Sequence, residues 1–445
     1  MNINTALRRR SLGLSGRLEI DFAIDRLKLK EAIKITNPSP IDLDDQNVKN
    51  SGPIACAKLG DDRLAVANED GHINLLMTKK LKDIASWIAH DNAVFDIKAS
   101  PDQKSLLTAS GDATIRRWDI EAKQETVKIT PHYSSIKSIS MYDNHTLASG
   151  SRDGTVKVHD LRQKDPVMIV IRDAHRNQIF SKHRRISTKT DPISCVTNVV
   201  FDPNFPRLYS TGANDACIKL WDLRRIPTTN RPRRTRDGQM LLNQPLVEVH
   251  HPSQGVHCGY SDLLISAGKI YASCSDNKIY CYDNFSPDSK PLKFAGYRYD
   301  TCLRMAIMDD RFLFSGGKCG GALVWNLRSK QSSRYYPETT RFPIGQLKPD
   351  QNDSSDTTVI ETDWDSLSVF TLRDDRLICK WTMHHVLESE RQQMLSGGAL
   401  DFQEADVSIQ LSDIMDVNVL RPNHRISNSQ PAALTGRQQS QVNTR

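Results

Sequence analysis

Seven times along this 445-residue chain a turn residue, usually Asp, stands six positions ahead of a large apolar or aromatic residue. The pairs are Asp70/Leu76, Asp112/Trp118, Asp153/His159, Asp215/Trp221, Asp276/Tyr282, Cys319/Trp325 and Asp375/Trp381, and four of the six tryptophans fall in this one slot. An Asp or Asn follows the slot at Asp119, Asp160, Asp222, Asp283 and Asn326. Self-similarity at ~40–45 residues with such an ending marks four-stranded blades set radially into a ring. The reading is all-β: a seven-bladed propeller over 52–385, with a short N-terminal extension (1–51) and a polar, largely disordered tail (386–445).

One repeat shows why the spacing is fixed. Ser110 to Asp112 makes a tight turn, and the strand that follows ends in Trp118, whose single N–H needs a partner once buried. This resembles the WD repeat, in which a His–Ser–Asp–Trp hydrogen-bond chain supplies that partner; His90, Ser110, Asp112 and Trp118 match it. The third repeat keeps His132 and Asp153 of the chain, and the fourth keeps His175 and Asp215. All are read as structural, although a Ser/His/Asp grouping superficially resembles a catalytic triad.

Composition narrows the class. No apolar run approaches the ~18–20 residues that span a bilayer, and Arg8 to Arg10 lack the apolar stretch of a secretory signal. The nine cysteines contain no Cys-x-x-Cys; Cys217, Cys274, Cys281 and Cys379 sit in strand-like runs where reduced thiols pack as small hydrophobes. That favours the cytosol or nucleus and argues against structural zinc. His250-His251 and His384-His385 are read as incidental, for want of nearby carboxylate or thiolate partners. No cofactor, metal or catalytic residue is assigned.

The steps between markers are 42, 41, 62, 61, 43 and 56, so two carry about twenty residues beyond the repeat norm. The insertion 172–191 has six Lys/Arg against two Asp, and 225–237 has five Arg against one Asp; each is +4 in a chain of +7. Propeller connectivity puts the first on the top rim and the second on the bottom. Each reads equally as a solvated loop. The sharper readings are a contact to acidic partners or DNA phosphates through Arg176, Lys182, Arg184 and Arg185, and nuclear import through Arg231, Arg233, Arg234 and Arg236.

His159-Asp160-Leu-Arg162, Trp221-Asp222-Leu-Arg224 and Trp325-Asn326-Leu-Arg328 each place an Arg two residues past the acid or amide, at the bottom rim, where it is free to fork into a partner's carboxylates. The neighbouring pair resembles the Trp-Asp-x-Arg signature of substrate receptors for cullin-4 RING ubiquitin ligases. The resemblance narrows to the denticleless family on Ala65-Val-Ala-Asn-Glu-Asp-Gly71, Trp87-Ile-Ala-His-Asp-Asn-Ala-Val-Phe-Asp96, Gly111 to Asp119, Gly259 to Leu264 and Asp276 to Tyr280. It covers approximately residues 52–330, and the seventh blade, Gln346 to His385, matches it more weakly.

The resemblance implies a non-catalytic, nuclear (partly cytoplasmic) receptor with no membrane association. Asp160, Arg162, Asp222, Arg224 and Arg328 would dock the triple-propeller damage-binding adaptor of the cullin-4 RING core. The substrates implied are replication proteins such as the licensing factor bound to PCNA, with at most weak or indirect DNA contact. Such a receptor raises the effective concentration of substrate lysines near a charged conjugating enzyme. No Gln-x-x-aliphatic-x-x-aromatic-aromatic box occurs, since Gln392 to Leu395 lacks the aromatic pair. The alternatives are a chromatin or RNA scaffold with no ligase attached, and a propeller enzyme, which would need a carboxylate or metal cluster on the central channel. The run 18–30 fits either a ring-closing outer strand or a helix against the adaptor, and its period does not choose.

Overall fold

The computed structural model describes residues 27–34 and, with gaps at loops, 52–383; the segments 176–193 and 227–243 are the longest of those gaps. These residues form seven antiparallel sheets in a ring, with no helix among them. Within a blade the strands run in chain order from the axis outward. The second blade, for example, is Val94–Ala99, Ser105–Ser110, Ile115–Asp119 and Gln124–Ile129. The first strands of successive blades pack against one another around the axis.

The seven slot residues occupy one equivalent place. Each lies on the third strand of its blade, opposite an aliphatic residue of the second: Leu64↔Leu76, Leu106↔Trp118, Leu147↔His159, Leu208↔Trp221, Ile270↔Tyr282, Leu313↔Trp325 and Val369↔Trp381. All seven are buried. Because side chains alternate along a strand, the slot face of a blade packs on the preceding blade. Trp118 joins Leu75 and Ala67 of blade one, Trp221 joins Val158 of blade three, and Trp381 joins Phe314 of blade six. The core is therefore seven seams, one per neighbouring pair, and the seam between Leu64, Leu76 and Phe370 closes the ring.

The turn residue six positions upstream is equally regular. Asp112 Oδ1 accepts from Thr114 N (2.9 Å), Asp153 Oδ1 from Thr155 N (2.9 Å) and Asp375 Oδ1 from Leu377 N (3.1 Å), the bond of an Asx turn. The residue after each Asp is left-handed: Gly71, Ala113, Gly154, Ala216, Asn277 and Arg376 all have positive φ. At Gly71 (φ 88°) a Cβ would also stand 2.0 Å from the His90 carbonyl oxygen, so only glycine fits there. Polar groups on the inner strands tie blade to blade. Asp96 Oδ2 accepts from Ile139 N (2.9 Å), Asn198 Nδ2 donates to Asp262 Oδ1 (2.8 Å), and Asp262 Oδ2 accepts from Met305 N (2.8 Å).

The ends of the ring differ from simple repetition. Gln346 lies in Gly345–Leu347, the outer strand of blade six, so blade seven begins at Thr357–Asp363 and not at 346. Its outermost strand is Leu27–Lys34, paired antiparallel with Leu377–Met383 from Leu27↔Met383 to Lys34↔Leu377. This stretch is a strand and not a helix; residues 18–26 are outside the described residues. Blade five gains a short fifth strand, Thr340–Arg341, parallel to Leu292–Ala295.

Deleting residues 1–34 would strip blade seven of this strand and leave Leu377–Met383 as an open edge able to pair with other chains. The thermal midpoint is expected to fall by roughly 5 °C or more, with soluble aggregates in size-exclusion chromatography. Melting at the full-length temperature would show that the strand does not hold the ring.

Candidate functional site: the rims and axis of the propeller

The polar chain on the slot face is more complete than its sequence trace, and one member differs. In blade two His90 Nδ1 meets Asp112 Oδ2 (2.9 Å), His90 Nε2 meets Thr108 Oγ1 (2.6 Å), and Trp118 Nε1 donates to Thr108 Oγ1 (3.1 Å). The hydroxyl of the chain is Thr108, not Ser110. Thr108 lies two residues back on the same strand face, diagonal to Trp118, whereas Ser110 ends the strand and donates to the Asn92 carbonyl (3.1 Å). Blade four is complete as well, through Ser210: His175 Nε2 at 2.7 Å, Trp221 Nε1 at 2.8 Å and His175 Nδ1 to Asp215 at 2.6 Å. In both, the hydroxyl, the imidazole and one carboxylate oxygen are engaged in holding the slot residue, as a structural role requires.

Blade three performs the same task with a second histidine. Ser149 Oγ bridges His132 Nε2 (2.7 Å) and His159 Nε2 (2.7 Å), and His159 Nδ1 is buried with no hydrogen-bond partner. Burial, with His132 and Lys157 nearby, pushes His159 down to about 3, so the ring is neutral at physiological pH.

On the bottom rim two arginines share one geometry. Asp160 closes the third strand of blade three; its Oδ1 accepts from Arg162 Nε (2.8 Å) and its Oδ2 from Arg162 Nη2 (2.9 Å). Asp222 holds Arg224 in blade four by the same pair of bonds, both 3.0 Å. Both carboxylates are nearly buried, while the arginine side chains are 61% and 65% exposed. The hydrogen bond from Arg162 holds Asp160 at about 2, so the clamp stays ionised. The arginines are thus not free to fork with the Nε edge, which their own Asp occupies, and a partner meets only the remaining, exposed part of each guanidinium. Blade two has Glu121 at the corresponding position and no such fork. Arg328 lies outside the described residues, as do Arg176, Lys182, Arg184, Arg185, Arg231, Arg233, Arg234 and Arg236.

Two features left no trace in the sequence pattern. Tyr133, beside His132 on the top rim of blade three, is 96% exposed, with Lys157 Nζ 5.6 Å from its ring. The axis holds a cavity lined by Asp96, Lys98, Asp262, Arg304 and Glu361. Its two cations lie against Asp96, Lys98 Nζ at 3.3 Å and Arg304 Nη1 at 3.8 Å. Cys56 lines the same cavity, and burial pushes its thiol up, away from the nucleophilic thiolate. The arrangement suits ring stability better than bond-breaking.

Comparison with known proteins agrees with the repeats. The family model for the WD domain, G-beta repeat, matches residues 81–119, 123–160 and 178–222. The chain is 30% identical over 365 residues to Protein lethal(2)denticleless of Drosophila melanogaster, covering 74% of this chain and 46% of the relative. It is 30% identical over 354 residues to the human Denticleless protein homolog, covering 74% and 45%. The zebrafish (Danio rerio) Denticleless protein homolog is 31% identical over 286 residues, covering 59% and 42%. The chain spans about half the length of the curated relatives it matches.

Two outcomes test the chain of bonds. Thr108→Val leaves His90 Nε2 and the Trp118 N–H buried without partners and is expected to cost about 2–4 kcal/mol in chemical denaturation, against about 1 kcal/mol for Ser110→Ala. Equal costs would contradict the assignment of Thr108. For His159, the unfolded imidazole takes its proton near 6.5 but the folded one only near 3. Its stabilising share is present above pH 6.5 and is lost as pH falls toward 3, because the unfolded state binds the extra proton. His159→Trp is expected to flatten the acid slope of the melting temperature across that window; an unchanged slope would mean that His159 does not titrate this way.

Proposed function

The chain belongs to the denticleless family of WD-repeat proteins, and from that premise we propose that it is the non-catalytic substrate receptor of a cullin-4 RING ubiquitin ligase. In this role it recruits replication and cell-cycle proteins, such as the PCNA-bound licensing factor, in the nucleus. The observation that carries the reading is the pair of matching Asp–Arg forks on neighbouring blades, Asp160–Arg162 and Asp222–Arg224. A buried aspartate that fixes an exposed guanidinium removes much of the rotamer freedom a long side chain loses on docking. Two such groups on one rim form a two-point contact for carboxylates or carbonyls of the triple-propeller adaptor. Arg225, whose Nε lies 3.6 Å from Asp222, adds positive charge beside the second fork.

Substrate then meets the opposite rim. The insertion 172–191, with Arg176, Lys182, Arg184 and Arg185, leaves the ring at this rim, between Val167–Ile171 and Val196–Phe201. Tyr133 stands on the same rim of blade three. An exposed aromatic with basic neighbours suits an acidic or chromatin-bound partner. The division of labour, adaptor below and substrate above, lets both bind at once.

Arg162→Ala with Arg224→Ala is expected to lower adaptor affinity by about tenfold or more in a pull-down or titration, with the melting temperature unchanged because neither side chain enters a seam. Asp160→Asn with Asp222→Asn should weaken binding by a smaller factor, since the arginines remain but are no longer clamped. Full adaptor binding by the double alanine variant would refute the docking assignment and favour a chromatin or RNA scaffold. Reversing charge at Lys182, Arg184 and Arg185 is expected to weaken substrate capture most at low salt and less at high salt, where screening already weakens the wild-type contact, while adaptor binding persists.

A further inference from the structure

Blade five breaks the chain that holds blades two to four. Cys274 pairs with Tyr260 as Ser110 pairs with Val94, so Cys274 takes the place of that serine. Two residues back, Ala272 stands where Thr108, Ser149 and Ser210 supply the hydroxyl. With no hydroxyl to meet, His251 turns Nε2 to Tyr280 Oη (2.8 Å) and lies 3.4 Å from Asp276 Oδ2. Where Ser110 bonds to the carbonyl of Asn92, blade five sets a second thiol, Cys258. One donor atom from each of His251, Cys258 and Cys274 falls within 4.8 Å of the others, and the three residues are only 5%, 4% and 0% exposed. Asp276 Oδ1 is buried beside them with no hydrogen-bond partner.

We infer that blade five holds a zinc ion on Cys258, Cys274 and His251, with Asp276 as the fourth ligand. Two thiolates and an imidazole are the donor set that borderline-soft, tetrahedral zinc prefers. Donors about 2.0–2.3 Å from a common tetrahedral centre stand roughly 3.3–3.8 Å apart, so the cluster needs only a small side-chain contraction to close. Asp276 lies against His251, with Oδ2 3.4 Å from His251 Nε2 and held by Tyr280 Oη and Lys278 Nζ, which leaves Oδ1 to complete the set. Binding releases the thiol protons and links the end of blade four's outer strand to the second strand of blade five, where the hydroxyl chain is missing. The sequence hides the site because its ligands come from separate turns. His250, next in the chain, is exposed and points to the opposite face, toward Cys217 and Glu248. This inference is independent of the ligase reading.

The test uses the full chain, purified under reducing conditions without chelator. Mass spectrometry of metals is expected to find about one zinc per chain. After removal of zinc, cobalt(II) should give the thiolate-to-cobalt charge-transfer band, and added zinc should raise the melting temperature of the stripped wild-type chain. Cys274→Ser should lose the band and the ion, and His250→Ala should keep both. If the serine variant does not fold, the wild-type chain decides, through zinc-dependent protection of Cys258 and Cys274 from alkylation. A wild-type chain without zinc and without the cobalt band overturns the assignment. So does a Cys258–Cys274 disulfide in the purified chain, or an ion lost with His250→Ala but retained by Cys274→Ser.

Discussion

The contact on which the structure depends is the seam between consecutive blades. A lone four-stranded sheet with one face packed is marginal in water, because the other face leaves apolar area exposed. Here each blade offers its slot residue and the opposed aliphatic to the blade before it, so every apolar face is covered only when all seven are present. The seam of Cys56, Leu64, Val66, Leu76, Val359, Phe370 and Leu372 joins the last blade to the first and removes the remaining open face. Leu27–Lys34 then covers the edge of the last sheet. Closure is a property of the whole ring, and a single poor seam weakens all of it.

A ring held this way leaves its rims available for binding. The polar chains are spent inside the seams, and the axial cations Lys98 and Arg304 lie against Asp96. What reaches solvent is at strand ends, where side chains are held by short local contacts. The clamp of Asp160 on Arg162 and of Asp222 on Arg224 is of this kind. It uses the residue that ends the third strand, so the same Asp that completes a repeat also aims the arginine. An exposed arginine is thereby fixed on the rim without altering a seam.

The sequence revealed the features set by local spacing. The six-residue interval reports an Asx turn and a strand of fixed length, and all seven slots were legible, even where Leu76 or His159 replaces tryptophan. Contacts across the sheet were harder. Ser110 stood closer in sequence to Asp112 and resembled the chain's hydroxyl, yet strand alternation gives that place to Thr108. Blade seven starts at Thr357 and not at Gln346, a boundary the sequence hides because the outer strand of blade six, Gly345–Leu347, is only three residues long and carries no pattern. His251 has no thiol partner near it in sequence, and only pairing between distant turns brings Cys258 and Cys274 to it. The arginine forks were visible as a motif, but not that their own aspartates hold them.

Hydrogen exchange on the full chain, with and without the purified adaptor, tests the central claim most directly. The account predicts that the adaptor protects backbone amides at 160–163 and 222–226, on the bottom rim of blades three and four, and leaves 132–135 on the top rim unchanged. Protection confined to the top rim, or none anywhere at saturating adaptor, would contradict it.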